Sequence, residues 1–203
     1  MQTVKSKSYI AARIVSTLFV PPSLTIIIFT FFAFYYEQSV TELLTVLCVA
    51  YSFGFIFPII MFIYLRKKGK IIDQDASLKE ERTVPFFIAV MMYAAGFLIL
   101  VYSGANAITS SFWFCYISNT LIVILINKYW KISAHALGIS GPLAAITYAL
   151  GVKGFVFIFL LFIVGWSRIR LKRHTLLQVI AGGVLGFVLT YFQMSIIAGK
   201  FIK

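Results

Sequence analysis

The chain contains two histidines, His135 and His174. Each stands where a short basic connector enters an apolar stretch, and Ser167 and Arg168 precede His174 at the same kind of boundary. Imidazoles beside cations at helix entrances suit phosphoryl chemistry. A helix N-terminus offers unpaired backbone N–H groups to phosphate oxygens, and an arginine fork binds those oxygens two at a time. Histidine can attack phosphorus or carry a proton near neutral pH. The same placement also suits amphipathic rings that anchor helices at a membrane surface and do no chemistry.

Composition says what must position these residues. Hydrophobic residues make up 61% of the chain and charged residues only 12%, and the mean hydropathy is +0.97. Lipid solvates such a chain and water does not. The apolar runs are long and unbroken, whereas barrel strands alternate, so helices are expected. The expected fold is an all-α, polytopic integral membrane bundle of about six to seven transmembrane helices. It forms one transmembrane domain over residues 1–203, with two N-terminal spans in 1–65 and the active-site-like part at about 66–198.

Apolar runs near the roughly 20-residue crossing length fall at about 14–36, 43–65, 85–102, 108–127, 133–150, 155–166 and 174–198. Pro21-Pro22 should kink or restart the first. Lys5, Lys7 and Arg13 ahead of that run resemble a signal peptide, but its length favours a retained span. Gly182 and Gly186 have the spacing that lets helices approach closely. The one long polar connector, about 66–84, holds Asp73, Asp75, Glu80 and Glu81, four of the six acidic residues. Cys48 and Cys115 lie inside apolar runs and read as packing residues, with no disulfide framework or zinc site.

The net charge of +12 sits in the connectors. Anionic lipid headgroups or a phosphorylated amphiphile are therefore expected partners, and nucleic acid is not; the oligomeric state is left open. Seven spans put every Lys and Arg except Lys153, Lys200 and Lys203 on one face. By the positive-inside rule that face is cytoplasmic, most simply in a bacterial inner membrane, and cytoplasmic connectors are basic whatever a protein does.

The string from Ser167 through Arg168 and His174 to Gln178 resembles the third motif of the type 2 phosphatidic acid phosphatase superfamily, Ser-Arg-x5-His-x3-Asp. Ser, Arg and His match in spacing, and Gln178 stands where the family has Asp. Ile132-Ser133-Ala134-His135 is similar to the second motif, Pro-Ser-Gly-His, with Ser and His kept. The first motif, Lys-x6-Arg-Pro, is represented by Arg82 and Pro85 at altered spacing, with Lys79 as a substitute cation. The resemblance covers about residues 79–190.

The resemblance implies a metal-independent lipid phosphatase without cofactor, cleaving a phosphate or diphosphate monoester. His174 would be the nucleophile that becomes phosphohistidine. His135 would protonate the leaving alcohol and then activate water. Arg168, Ser167, Ser133, Arg82 and Lys79 would hold the phosphoryl oxygens. Gln178, one helical turn after His174, is placed to accept a hydrogen bond from its ring, though without the charge of an aspartate. A comparable loss of charge in a serine-protease triad costs about 10⁴ in turnover. Asp73, Asp75, Glu80 and Glu81 could fill in for it, or serve as solvated partners of nearby Lys and Arg; Arg170, Lys172 and Arg173 read as a cytoplasmic charge cluster. A lipid phosphotransferase or a catalytically degenerate phospholipid binder would fit the same scaffold.

Overall fold

The structure, a computed structural model, describes residues 6–200; Lys5 and Lys203, and the side chain of Lys200, lie outside what it describes. It is 84% helical with no strands among the described residues. The helices are α1 (Lys7–Leu18), α2 (Pro21–Tyr36), α3 (Val40–Tyr51), α4 (Phe57–Lys67), α5 (Thr83–Tyr102), α6 (Ala107–Tyr129), α7 (Ala134–Leu150), α8 (Ile158–Arg170) and α9 (Leu176–Ile197).

Local chemistry sets most boundaries. Ser6 caps α1, and Ser39 with Glu42 forms a reciprocal capping box on α3. Pro21 opens α2, where its missing N–H costs nothing, and the chain bends 51° between α1 and α2. The expected first span is therefore two helices. A widened π-type turn at Ser52–Ile56 joins α3 to α4 just ahead of Pro58, which lacks the N–H needed to continue a regular ladder.

Among the described residues, five helical stretches are long and apolar enough to cross a membrane, or six with the bent α1–α2 pair counted as one span. The expectation of six to seven divided 133–166 in two, whereas this count takes Ala134–Arg170 as one stretch. That stretch is a hairpin. Gly151 has φ +63, and His135 at its start and Arg168 at its end both contact Ser16. Ile27, Phe34, Phe87, Met91, Phe162 and Val188 are among many large apolar side chains left exposed. In water these would be a liability; around a membrane bundle they form the lipid-facing surface.

The interior is aromatic at one end and glycine-packed at the other. Phe29, Phe32, Phe112, Trp113 and Tyr93 pack between α2, α5 and α6, and Trp113 Nε1 donates to the Tyr93 carbonyl at 2.8 Å. At the α7–α9 contact, a Cβ on Gly182 would lie 2.6 Å from the Ser133 carbonyl oxygen, and one on Gly186 would lie 2.8 Å from that of Leu137. Only hydrogen fits at these two points. The close approach brings the start of α7, with His135, beside the start of α9, which follows His174.

Candidate functional site

The turn after α8 folds back on its own last residues. The backbone N–H groups of Arg173 and His174 both donate to the Arg168 carbonyl, at 3.0 and 3.4 Å. Helix α9 then starts with Thr175 as its cap in a second capping box, with Gln178 Oε1 accepting from the Thr175 N–H at 3.2 Å. The same oxygen accepts from His174 Nδ1 at 3.1 Å. The proton is thus on Nδ1, and the Nε2 lone pair remains available. Gln178 serves both as cap and as orienter of the ring.

His174 is buried, 7% exposed. Burial, then the positive charges of Arg82, Lys131 and Arg168, push its pKa down to about 3 against the opposing effect of the hydrogen bond it donates to Gln178. The imidazole is neutral at pH 7, the form that can act as a nucleophile. Three cations thus act on one neutral ring, an arrangement that would attract an anion.

Arg168 is 0% exposed. Its Nη1 donates to Asp75 Oδ1 at 2.6 Å and to Ser16 Oγ at 2.5 Å. Its Nε and Nη2 have no hydrogen-bond partner among the described residues. Those two N–H groups leave one edge of the guanidinium in parallel, the geometry that takes two oxygens of a phosphate or carboxylate. A buried donor left unpaired costs about 1–3 kcal/mol, and more when charged, so two on one arginine call for an acceptor.

Arg82, 4% exposed, bridges the connector to α7 by donating from Nε to the Ala76 carbonyl at 2.8 Å and from Nη1 to the Ile132 carbonyl at 3.0 Å. Ser133 is fully buried as the cap of α7, its Oγ accepting from the Ala136 N–H, while its own N–H donates to the Gln178 carbonyl. His135 Nε2 donates to the Ser16 carbonyl at 3.3 Å. Arg82, Ser133, Arg168, His174 and Gln178 thus form one cluster, with His135 joined to it through Ser16.

Two predicted ligands are engaged elsewhere. Ser167 Oγ donates to the Ala12 carbonyl at 2.7 Å and anchors α1. The Lys79 ammonium donates to the Lys128 carbonyl at 2.9 Å, at the end of α6.

The connector differs from expectation. Asp75 is not a solvated partner, since its side chain is 3% exposed and pairs with Arg168 at 2.6 Å, Arg13 at 2.8 Å and Arg173 Nε at 3.0 Å. Burial alone would raise its pKa, but the bonds and charges of Arg13 and Arg168 outweigh that and hold it at about 2. It does not stand in for the absent aspartate, whose place on His174 is taken by Gln178. Arg173 also belongs to this lattice, donating to Asp73 Oδ2 at 3.1 Å and Ser77 Oγ at 2.8 Å. Ser16 carried no signal in the sequence, where it is one serine in an apolar run.

A cavity of about 250 Å³ opens from this region into the bundle, walled by apolar residues of α2, α4 and α5 such as Pro21, Pro58, Phe62, Phe86 and Ala89. Asp75, Arg82 and His135 border it; His174 and Arg168 are not among its walls. No family model, curated protein or solved structure matches this chain.

Proposed function

We propose that this integral membrane protein is a lipid phosphatase that hydrolyses a phosphate or diphosphate monoester of an amphiphile through a phosphohistidine. The observation that carries this is Arg168, wholly buried with an unpartnered Nε–Nη2 edge, beside a neutral His174 whose Nδ1 is held and whose Nε2 is available. The phosphoryl oxygens lie on Arg168, with Arg82 and the Ser133 hydroxyl adding to the positive field. His135 first takes a proton on Nδ1 from the entering substrate monoanion; His174 Nε2 then bonds to phosphorus as the bond to the lipid oxygen breaks, and that oxygen takes the Nδ1 proton and leaves His135 neutral. Water then attacks the phosphohistidine and gives its proton to His135, which releases phosphate and restores both rings. The apolar cavity behind His135 and Arg82 takes the chain of the substrate, putting His135 on the leaving-oxygen side.

Gln178 supports a second reading. A neutral amide stabilises a positive His174 ring less well than a carboxylate would, and the same anion site would then bind phospholipid with little or no turnover. In either case the site lies on the basic face, which the positive-inside rule makes cytoplasmic, in a cell membrane.

The test is phosphate release by the purified chain from phosphatidic acid, phosphatidylglycerol phosphate and polyprenyl diphosphates. Release that disappears in His174→Ala is expected. Release that survives that change contradicts the phosphatase reading, and binding without release establishes the second. Transfer to an added alcohol in place of water would make the protein a phosphotransferase.

A further inference from the structure

One turn of α1 contacts Ser167, Asp75, Arg168 and His135. The Ala12 carbonyl accepts from Ser167, Arg13 Nη1 donates to Asp75 Oδ2 at 2.8 Å, and Ser16 contacts both Arg168 and His135. Ala12 is fully buried and Ser16 is 3% exposed, while Ile10, Ile14 and Leu18 on the opposite side are half exposed or more. The 51° bend at Pro21 turns this helix away from the axis of α2 and lays it along the end of α8.

We infer that α1 completes the site, and that Ser16 and Asp75 are positioning residues for Arg168 and His135. Ser16 Oγ and Asp75 Oδ1 both take hydrogen bonds from Arg168 Nη1. They fix the guanidinium by one corner and leave its Nε–Nη2 edge for the oxyanion. Arg13 and Arg173 hold the other oxygen of Asp75, so the carboxylate cannot swing to follow the ligand. The Ser16 carbonyl accepts from His135 Nε2, which fixes one ring proton on Nε2 and leaves Nδ1 as the atom that takes a proton from the entering substrate, gives it to the leaving oxygen and regains one from water. Ser16 thereby does for His135 what Gln178 does for His174. The inference rests on the proposed roles of Arg168 and His135, and it extends the site to a helix that carries none of the three motifs.

Lipid phosphate hydrolysis by the full chain tests it. Ser16→Ala and Asp75→Asn should lower kcat by about 10-fold to 10²-fold, the scale set by a small misplacement of a catalytic group, with KM within about two-fold because the chain cavity is unchanged. Ser16→Thr, which keeps the hydroxyl, should restore kcat to within about three-fold. In an Arg168→Lys background Ser16→Ala should have no further effect, since a residue acting through Arg168 is coupled to it. Melting temperature in detergent identifies a variant that has failed to fold, in which case Asp75→Asn carries the test. Wild-type kcat in both Ser16→Ala and Asp75→Asn, or losses that simply multiply with Arg168→Lys, overturns the inference and leaves the phosphatase reading standing. Absence of turnover in the wild type, with inorganic phosphate binding unaltered by Arg168→Ala, removes that reading and the inference with it.

Discussion

Within the spans of α6 and α9, Asn119 Nδ2 donates to Thr190 Oγ1 at 2.9 Å, Gln193 Nε2 donates to Asn119 Oδ1 at 3.0 Å, and the Ser118 hydroxyl reaches Gln193 Oε1. At the basic end of the same bundle, Arg168 is as deeply buried yet has two N–H groups without partners. Both clusters are polar groups placed where water is scarce. In the first, the donors and acceptors answer one another, so it works as glue between two helices. In the second, Asp75 satisfies one corner of Arg168 while Arg82 and Lys131 add positive charge around His174. A closed hydrogen-bond network explains itself by stability. A buried network with surplus donors and surplus positive charge is what the proposed anion site would account for.

Breaking the surplus-donor cluster should have the largest effect. Arg168→Ala is expected to cut phosphate release by about 10³-fold, the upper range for removing a preorganised oxyanion donor, while the protein still elutes as a monodisperse species in detergent. A loss of less than about three-fold would reduce Arg168 to a structural ion-pair partner.

Acid should disturb the basic end first. His174 titrates at about 3 in the fold and near 6.5 when unfolded, so the unfolded chain binds more protons between those values. This contribution to stability is complete above pH 6.5 and falls as pH drops towards 3. Asp75, held at about 2, adds a loss that begins below about pH 4. The melting temperature should therefore fall steadily below pH 6.5, and His174→Gln should flatten the part of the slope above pH 4. An unchanged slope in that variant would mean that the ring is solvated.

Gln178→Asp separates the two jobs of one side chain. The added charge should raise kcat about 10-fold, a fraction of the roughly 10⁴ lost on removing a comparable charge elsewhere. Asp is one methylene shorter, so the hydrogen bond to the Thr175 N–H weakens, at a cost of about 1 kcal/mol of capping. Thermal melting alongside turnover reads both effects.

The smallest change belongs to the closed network. Thr190→Val should cost about 0.6 kcal/mol, the average for a hydrogen bond between membrane helices, and leave kcat alone. A large loss of turnover in that variant would erase the distinction between the two clusters.

The elements of the fold were legible because they are written locally. Apolar runs gave the helices, Pro21-Pro22 the break between α1 and α2, and the Gly182–Gly186 spacing the close contact with α7. Within the site, the four-residue spacing from His174 to Gln178 reads as one helical turn; the bond is present, but His174 precedes α9 and the capping box at Thr175 brings Gln178 Oε1 to the ring. What joins α1 and the connector to the site depends on chain separation. Ser16 meets Arg168 across 152 positions and Asp75 meets it across 93, and no local pattern encodes either pairing. Lys79 reads as a substitute for the missing Lys of the first motif, whereas the fold turns its ammonium to Lys128. Ser167 fits its motif by spacing, but its hydroxyl is committed to Ala12 once α1 lies across α8.

The most direct test of the central claim is to quench the protein in alkali during turnover of a lipid phosphate and locate covalent phosphate by peptide mass spectrometry. Phosphate on the peptide containing His174, acid-labile and missing from Arg168→Ala, is the predicted result. Turnover with no phosphate on His174 under these conditions, or with phosphate on another residue, would contradict the account.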